Sequence, residues 1–307
     1  MKRIILTVMT AMLLSGNVAW ADDLEDAVAA YNRKDYATAL KMWRQLAAQG
    51  HADAQYNLGV LYGSGQGVPQ NYAKARQLWE QASAQGNSTA QLNLGLMYDK
   101  GLGVPQDYAK AREWYEKAAA QGHAGAQYNL GLMYHNGQGV PQDYVKARQW
   151  WEKAAAQGVA VAQYNLGSLY VKGLGVPQNY AKARQWWEKA AAQGDATAQL
   201  NLGTLYDDGL GVPKDYTKAR QWYEKAAAQG DASAQVNLGV LYHNGQGVPQ
   251  DYVKAYMWLN LAAASTGDVQ KDTAKNRDEV ARRMTSAQVA EAQRLTQQCQ
   301  ARQFKGC

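Results

Sequence analysis

The chain repeats itself, and that repeat constrains its fold more than any other property. The triplet Asn-Leu-Gly begins at Asn57, Asn93, Asn129, Asn165, Asn201 and Asn237, every 36 residues with no slippage. All 6 prolines fall at one register of the same block: Pro69, Pro105, Pro141, Pro177, Pro213 and Pro249. A fixed period of this size marks an array of small units, none of which can bury its apolar face alone. The length of 307 residues would by itself admit two ordinary domains. The repeat replaces that expectation with stacked units that share a core with their neighbours.

Each block reads as a helical hairpin. In the copy from Gln91 to Ala126 and the residue before it, Ala90, Leu94, Gly95, Met97 and Tyr98 have the spacing of one helix face. Gly101 ends that helix, because a residue without Cβ takes the left-handed cap conformation freely. Pro105 keeps the loop from continuing as helix, and Asp107 caps the second helix by accepting from its orphan amides. The capping register holds Asn71, Asp107, Asp143, Asn179, Asp215 and Asp251, always Asn or Asp. Gly122 closes the second helix. Gly95 lies inside a helix, where glycine costs about 1 kcal/mol against alanine. Its recurrence predicts close helix approach, with small surfaces such as Ala111 and Ala118 opposite and the rings of Trp114 and Tyr115 filling the gaps.

The array has two ends. Residues 1–21 read as a cleavable signal peptide: Lys2 and Arg3, an apolar run from Ile4 to Leu14, and the small-x-small site Ala19-Trp20-Ala21. That run is shorter than the ~20 apolar residues a membrane helix needs. The expected mature chain begins at Asp22 and is periplasmic or secreted, with no later membrane segment. Residues 22–50 form a degenerate capping hairpin, and six full repeats occupy 51–265. In 266–307, two helices are expected to cover the last repeat, the second opened by the capping-box pattern Thr285-Ser286-Ala287-Gln288. Cys299 and Cys307 are the only 2 cysteines. In an oxidising compartment they read as one disulfide pinning the tail, the alternative being two free thiols.

Composition excludes several functions. Removing Lys2 and Arg3 takes the formal charge from +6 to +4. That small excess, unclustered, gives no footing for nucleic-acid binding. The 4 histidines are His51, His123, His135 and His243. His135 and His243 share a register but stand three repeats apart, about 30 Å at ~10 Å per packed helix, too far to share a metal. No His-Glu-x-x-His, Cys-x-x-Cys, Ser-x-x-Lys or Gly-x-Ser-x-Gly pattern occurs. The loop glycines lack dinucleotide or P-loop spacing and are turns. The sequence therefore calls for no cofactor, no metal and no catalytic residue, and a monomer is the expectation.

Ala-x-x-x-Leu-Gly-x-x-Tyr, Gly-x-Gly-Val-Pro, Asp-Tyr-x-Lys-Ala and Trp-Tyr-x-Lys-Ala-Ala-x-Gln-Gly, intact in successive copies across Asp35 to Ser265, resemble Sel1-like repeats, relatives of tetratricopeptide repeats. The resemblance implies an all-α, right-handed α/α superhelical solenoid that binds proteins or peptides. It also places the first helix of each repeat, where the copies differ most, on a concave binding face. The candidate peptide-binding residues there are Tyr56, Asn93, Leu96, Lys100, Tyr128, Asn129, His135, Tyr164, Asn165, Lys172, Asn201 and Asp207. In related peptide-binding repeats an asparagine holds the bound backbone. The asparagines here either do that or tie each hairpin to the next. Lys110, Arg112, Glu116 and Lys117 stand for an outer face that is either simply solvated or a basic ribbon for anionic envelope polymers. The expected function is a non-catalytic interaction scaffold of the cell envelope, in envelope regulation or host-cell contact. The alternative is penicillin binding or weak β-lactamase activity, as in cysteine-rich relatives. Those carry a disulfide in each repeat, and here no repeat holds a cysteine.

Overall fold

The computed structural model describes residues 23–264, 269–304 and 306–307, which form helices and turns with no strand. The predicted leader over 1–21 and the break predicted at Thr266-Gly267-Asp268 lie outside the described residues. The chain divides into two units, residues 1–142 and 143–307.

The first unit holds α1 (23–32), α2 (Tyr36–Ala48), α3 (Ala52–Ser64), α4 (Tyr72–Ala84), α5 (Ser88–Lys100), α6 (Tyr108–Ala120) and α7 (Ala124–Asn136). The second holds α8 (Tyr144–Ala156), α9 (Ala160–Lys172), α10 (Tyr180–Ala192), α11 (Ala196–Asp208), α12 (Tyr216–Ala227), α13 (Ala232–Asn244), α14 (Tyr252–Ala263), α15 (Val269–Ala281) and α16 (Ser286–Ala301). The fold is an all-α solenoid of repeated helical hairpins.

The helix ends follow from their residues. The Asn71 carboxamide accepts from the Lys74 amide at 2.9 Å, and the Asp107 carboxylate accepts from the Lys110 amide at 3.0 Å. All six registers of Asn or Asp cap in this way. Gly101 takes φ 67°, which lets the Met97 carbonyl accept from the Gly101 and Leu102 amides. The loop then folds back, and the Asp107 amide donates to the Tyr98 carbonyl at 2.9 Å.

The close approach expected at the helical glycines is present, but the opposing surface is a ring at Gly59, Gly95, Gly167 and Gly203, and the Leu259 side chain at Gly239, rather than an alanine. A Cβ built on Gly59 would sit 2.5 Å from Nε1 of Trp79, and Gly95 lies under the ring of Tyr115. In the second unit Gly167 lies under Trp187 and Gly203 under Tyr223. The indole N–H of Trp79 donates to the Tyr56 carbonyl at 3.1 Å, and that of Trp187 to the Tyr164 carbonyl at 3.0 Å, so the rings are locked. The tandem aromatics therefore divide. Trp187 is buried at 5%, whereas Trp186 is half-buried with the Lys189 ammonium 4.2 Å from its ring centroid. Neighbours on a helix point about 100° apart and cannot share one seam.

A buried amide column also crosses each unit. Gln55, Gln91, Gln163, Gln199 and Gln235 are buried at 2–7%. Gln91 accepts from Gln121 at 2.8 Å in the first unit, as Gln199 does from Gln229 in the second. Gln163 donates to the Ala155 carbonyl at 3.1 Å and accepts from Gln193 at 2.8 Å, joining three consecutive helices. Gln55, Gln163 and Gln199 are satisfied on both sides, the condition under which a buried amide stabilises.

The last repeat is rewritten where the cap covers it. The registers of Arg220, Glu224 and Lys225 become Tyr256, Asn260 and Leu261 in α14, and Tyr256 and Leu261 are buried with Val280 and Ala292 of α15 and α16. Thr285 and Gln288 make the expected reciprocal capping box.

Candidate functional site

The first helices bury one face and leave the other available. In α3, Ala54, Gln55, Leu58, Gly59 and Leu61 are buried, while Tyr56, Asn57 and Val60 are half-buried and Ser64 is exposed. These last four fall at i, i+1, i+4 and i+8, on one side of a helix. Of the candidate residues, Asn93, Leu96, Tyr128, Asn129 and His135 are half-buried in the first unit, as are Tyr164, Asn165, Asn201 and Asp207 in the second, and Lys100 and Lys172 are exposed.

The first unit brings Asn93 and Leu96 together in a pocket of about 260 Å3, also lined by Val60, Gly63, Ser64, Tyr72, Trp79, Met97 and Leu102. No lining residue is charged. The pocket exists because Gly63 occupies a register held elsewhere by Asp99, His135, Val171, Asp207 and His243. With no side chain there, the Trp79 ring edge stays uncovered: a Cβ on Gly63 would meet Cη2 of Trp79 at 3.2 Å. Sequence reasoning missed Gly63, although its lone departure within that register was the available signal.

Asn93 and Asn129 each stand beside a tyrosine hydroxyl. Burial raises the pKa of Tyr56, and the Asn93 amide beside its hydroxyl partly offsets that rise. Burial also pushes the Tyr115 hydroxyl far up, with the Asp99 carboxylate adding to the shift. Asn129 and Asp99 stand near enough to bias that hydroxyl, yet neither is aligned to hydrogen-bond it. Asp99 is paired with Lys100 at 3.0 Å. The His135 imidazole stands 2.9 Å from the Asn136 side-chain oxygen.

The equivalent place in the second unit is better satisfied. The Tyr223 hydroxyl donates to the Asp207 carboxylate at 3.2 Å, with the Thr204 hydroxyl at 3.5 Å. Burial raises the Asp207 pKa, Tyr223 opposes that, and the neighbouring Asp208 adds to it. Lys172 and Asp207 are not brought into an ion pair with each other among the described residues. Among these residues no cluster of three or more His, Cys, Asp or Glu is placed to hold a metal.

The Sel1 repeat signature matches residues 33–51, 52–87, 88–123, 124–159, 160–195, 196–231 and 232–266. The chain belongs to the Sel1 repeat family, whose fold is generally a non-catalytic protein-interaction scaffold. It is similar to a Sel1 repeat protein from Oxalobacter formigenes, with 34% identity over 78% of this chain and 98% of that one, at a TM-score of 0.71. It is also similar to a protective antigen of uropathogenic Escherichia coli strains with an SLR fold: 27% identity, 94% of this chain, 86% of that one, TM-score 0.51. No curated protein matches the chain. No helix among the described residues is long and apolar enough to cross a membrane.

Proposed function

We propose that the chain is an exported scaffold of the bacterial envelope that binds a protein or peptide on its first-helix face. The observation that carries this reading is the uncharged pocket under Asn93 and Leu96. Its volume of about 260 Å3 suits one large apolar side chain. The Asn93 carboxamide at its edge can both donate to and accept from a peptide backbone. Pocket and amide together select an extended segment with an apolar anchor. Export rests on the leader read from residues 1–21. It gains support from Cys299 and Cys307, whose Cα atoms lie 5.4 Å apart, within disulfide reach. A disulfide there belongs to an oxidising compartment. The likeness to a protective antigen is in keeping with an envelope role in host contact.

A random peptide library selected against the purified chain tests this. Enriched peptides should share one large apolar residue and bind Gly63→Asp at least tenfold more weakly. The register already carries Asp99 and Asp207, so the variant should fold. Failure to enrich any peptide, or equal binding to the variant, overturns the reading.

A further inference from the structure

On its second-helix side the first repeat keeps open a space that its neighbours fill. A cleft of about 540 Å3 lies between α2 and α4, with Arg44, Leu58, Tyr62, Lys74, Leu78 and Gln81 on its walls. Three substitutions within the repeat pattern create it. Leu78 stands at the register of Trp114, Trp150, Trp186 and Trp222. Gln81 stands at the register of Lys117, Lys153, Lys189 and Lys225. Arg44 stands at the register of Glu80, Glu116, Glu152, Glu188 and Glu224, a reversal of charge.

One consequence is visible at Tyr62, whose hydroxyl accepts from the Arg44 guanidinium at 3.0 Å. The Lys74 ammonium lies 5.1 Å from the Tyr62 ring centroid, as the lysines of that register do over Tyr98, Tyr170, Tyr206 and Tyr242. Among the described residues neither cation has a carboxylate within ion-pair distance. The floor is apolar and incompletely covered: Leu58 retains 6% exposure, where Leu94, Leu130, Leu166 and Leu202 at the same register retain 0%. In the following repeat the Trp114 ring packs against the core cluster containing Leu94 and Trp79, and Glu80 occupies the Arg44 register.

We propose that this cleft docks an acidic peptide segment bearing an aromatic side chain beside a carboxylate, so that a partner supplies what the other repeats supply for themselves. The ring covers Leu58 and Leu78. The carboxylate meets Arg44, whose five N–H donors leave several free after the bond to Tyr62, with Lys74 on its other side. The cleft volume lies within the range of ligand sites. The site is separate from the pocket under Asn93, and neither depends on the other.

Titration of the 15N-labelled full chain with acetyl-Gly-Trp-Glu-Gly-amide tests the proposal. The amides of Tyr62 and Leu78 should shift, and the Lys-for-Glu peptide should bind at least tenfold more weakly. Added salt should weaken the acidic peptide, since partly exposed charges are screened. The double variant Arg44→Glu with Leu78→Trp restores the residues of the common pattern and should lose binding at least tenfold with no fall in Tm. Arg44→Gln removes the charge without refilling the cleft and should lose binding as well. Equal binding of the two peptides, retained binding in both variants, shifts confined to other repeats, or equal shifts with inorganic phosphate would each overturn the proposal.

Discussion

Gly59→Ala separates two opposing effects of one methyl group. On helix propensity alone the change should stabilise α3 by about 1 kcal/mol. The structure demands the opposite sign, because the new Cβ would lie 2.5 Å from Nε1 and 2.7 Å from Cδ1 of Trp79. An ordinary contact needs about 3.5 Å, so the ring has to retreat by close to 1 Å. It is held by its N–H bond to the Tyr56 carbonyl at 3.1 Å and is only 7% exposed. Overpacking costs about 1–3 kcal/mol, and weakening the indole bond about 1 kcal/mol more. Set against the propensity gain, the expected net loss is about 1–3 kcal/mol. Gly63→Ala is the internal control. It lies on the same helix and faces the same ring, yet its closest built contact is 3.2 Å, to Cη2 of Trp79. A shift of a few tenths of an ångström relieves it, so Gly63→Ala should be neutral or slightly stabilising. Urea unfolding followed by both circular dichroism and tryptophan fluorescence measures the pair. A Gly59→Ala chain as stable as the parent, or one no worse than Gly63→Ala, would refute the packing argument.

Gln199→Leu should cost about 1–2 kcal/mol, because it removes two hydrogen bonds of a buried amide, the one Gln199 donates to the Ala191 carbonyl and the one it accepts from Gln229. Gln229→Leu should cost less in that background than in the parent chain, and strict additivity in urea unfolding would remove the column from the account. Asp207 has a folded-state pKa raised by burial, so its contribution to stability is present below the unfolded value of about 3.9 and is lost as pH rises through the folded value. Asp207→Asn, which can still accept from Tyr223, should therefore have the higher Tm at pH 7, with the advantage shrinking toward pH 3.5. A gap independent of pH would contradict that assignment. Purified chain should turn over nitrocefin no faster than a heat-killed control, and any excess would revive the β-lactamase alternative.

The hairpins were legible because their signals are local. A Pro at one register, Asn or Asp two residues later and glycine after each helix leave little freedom to the backbone, and the caps at Asn71 and Asp107 follow directly. The partner of Gly95 was not legible. Tyr115 and Ala111 are both plausible neighbours four residues apart, and only the helix crossing decides between them. The glutamine column was missed for a related reason. Gln91 reads as a surface residue until Gln121, 30 positions on, is known to point at it. The pocket under Asn93 depends on a missing side chain at Gly63, and the outer cleft on Arg44 and Leu78 departing from the pattern. Repetition conveys what the copies share, so the sites must be sought where single copies break rank.

The way α14 meets α15 and α16 also bears on how such a chain lengthens over generations. Tyr256 and Leu261 are committed to a lid, so a block duplicated behind them would meet greasy residues where its own leading helix expects Arg and Lys. New blocks can enter only upstream, between members that still carry the interchangeable charged edge. The terminus is thus a fixed bookend, and variation in length among kindred chains should concentrate in their middles.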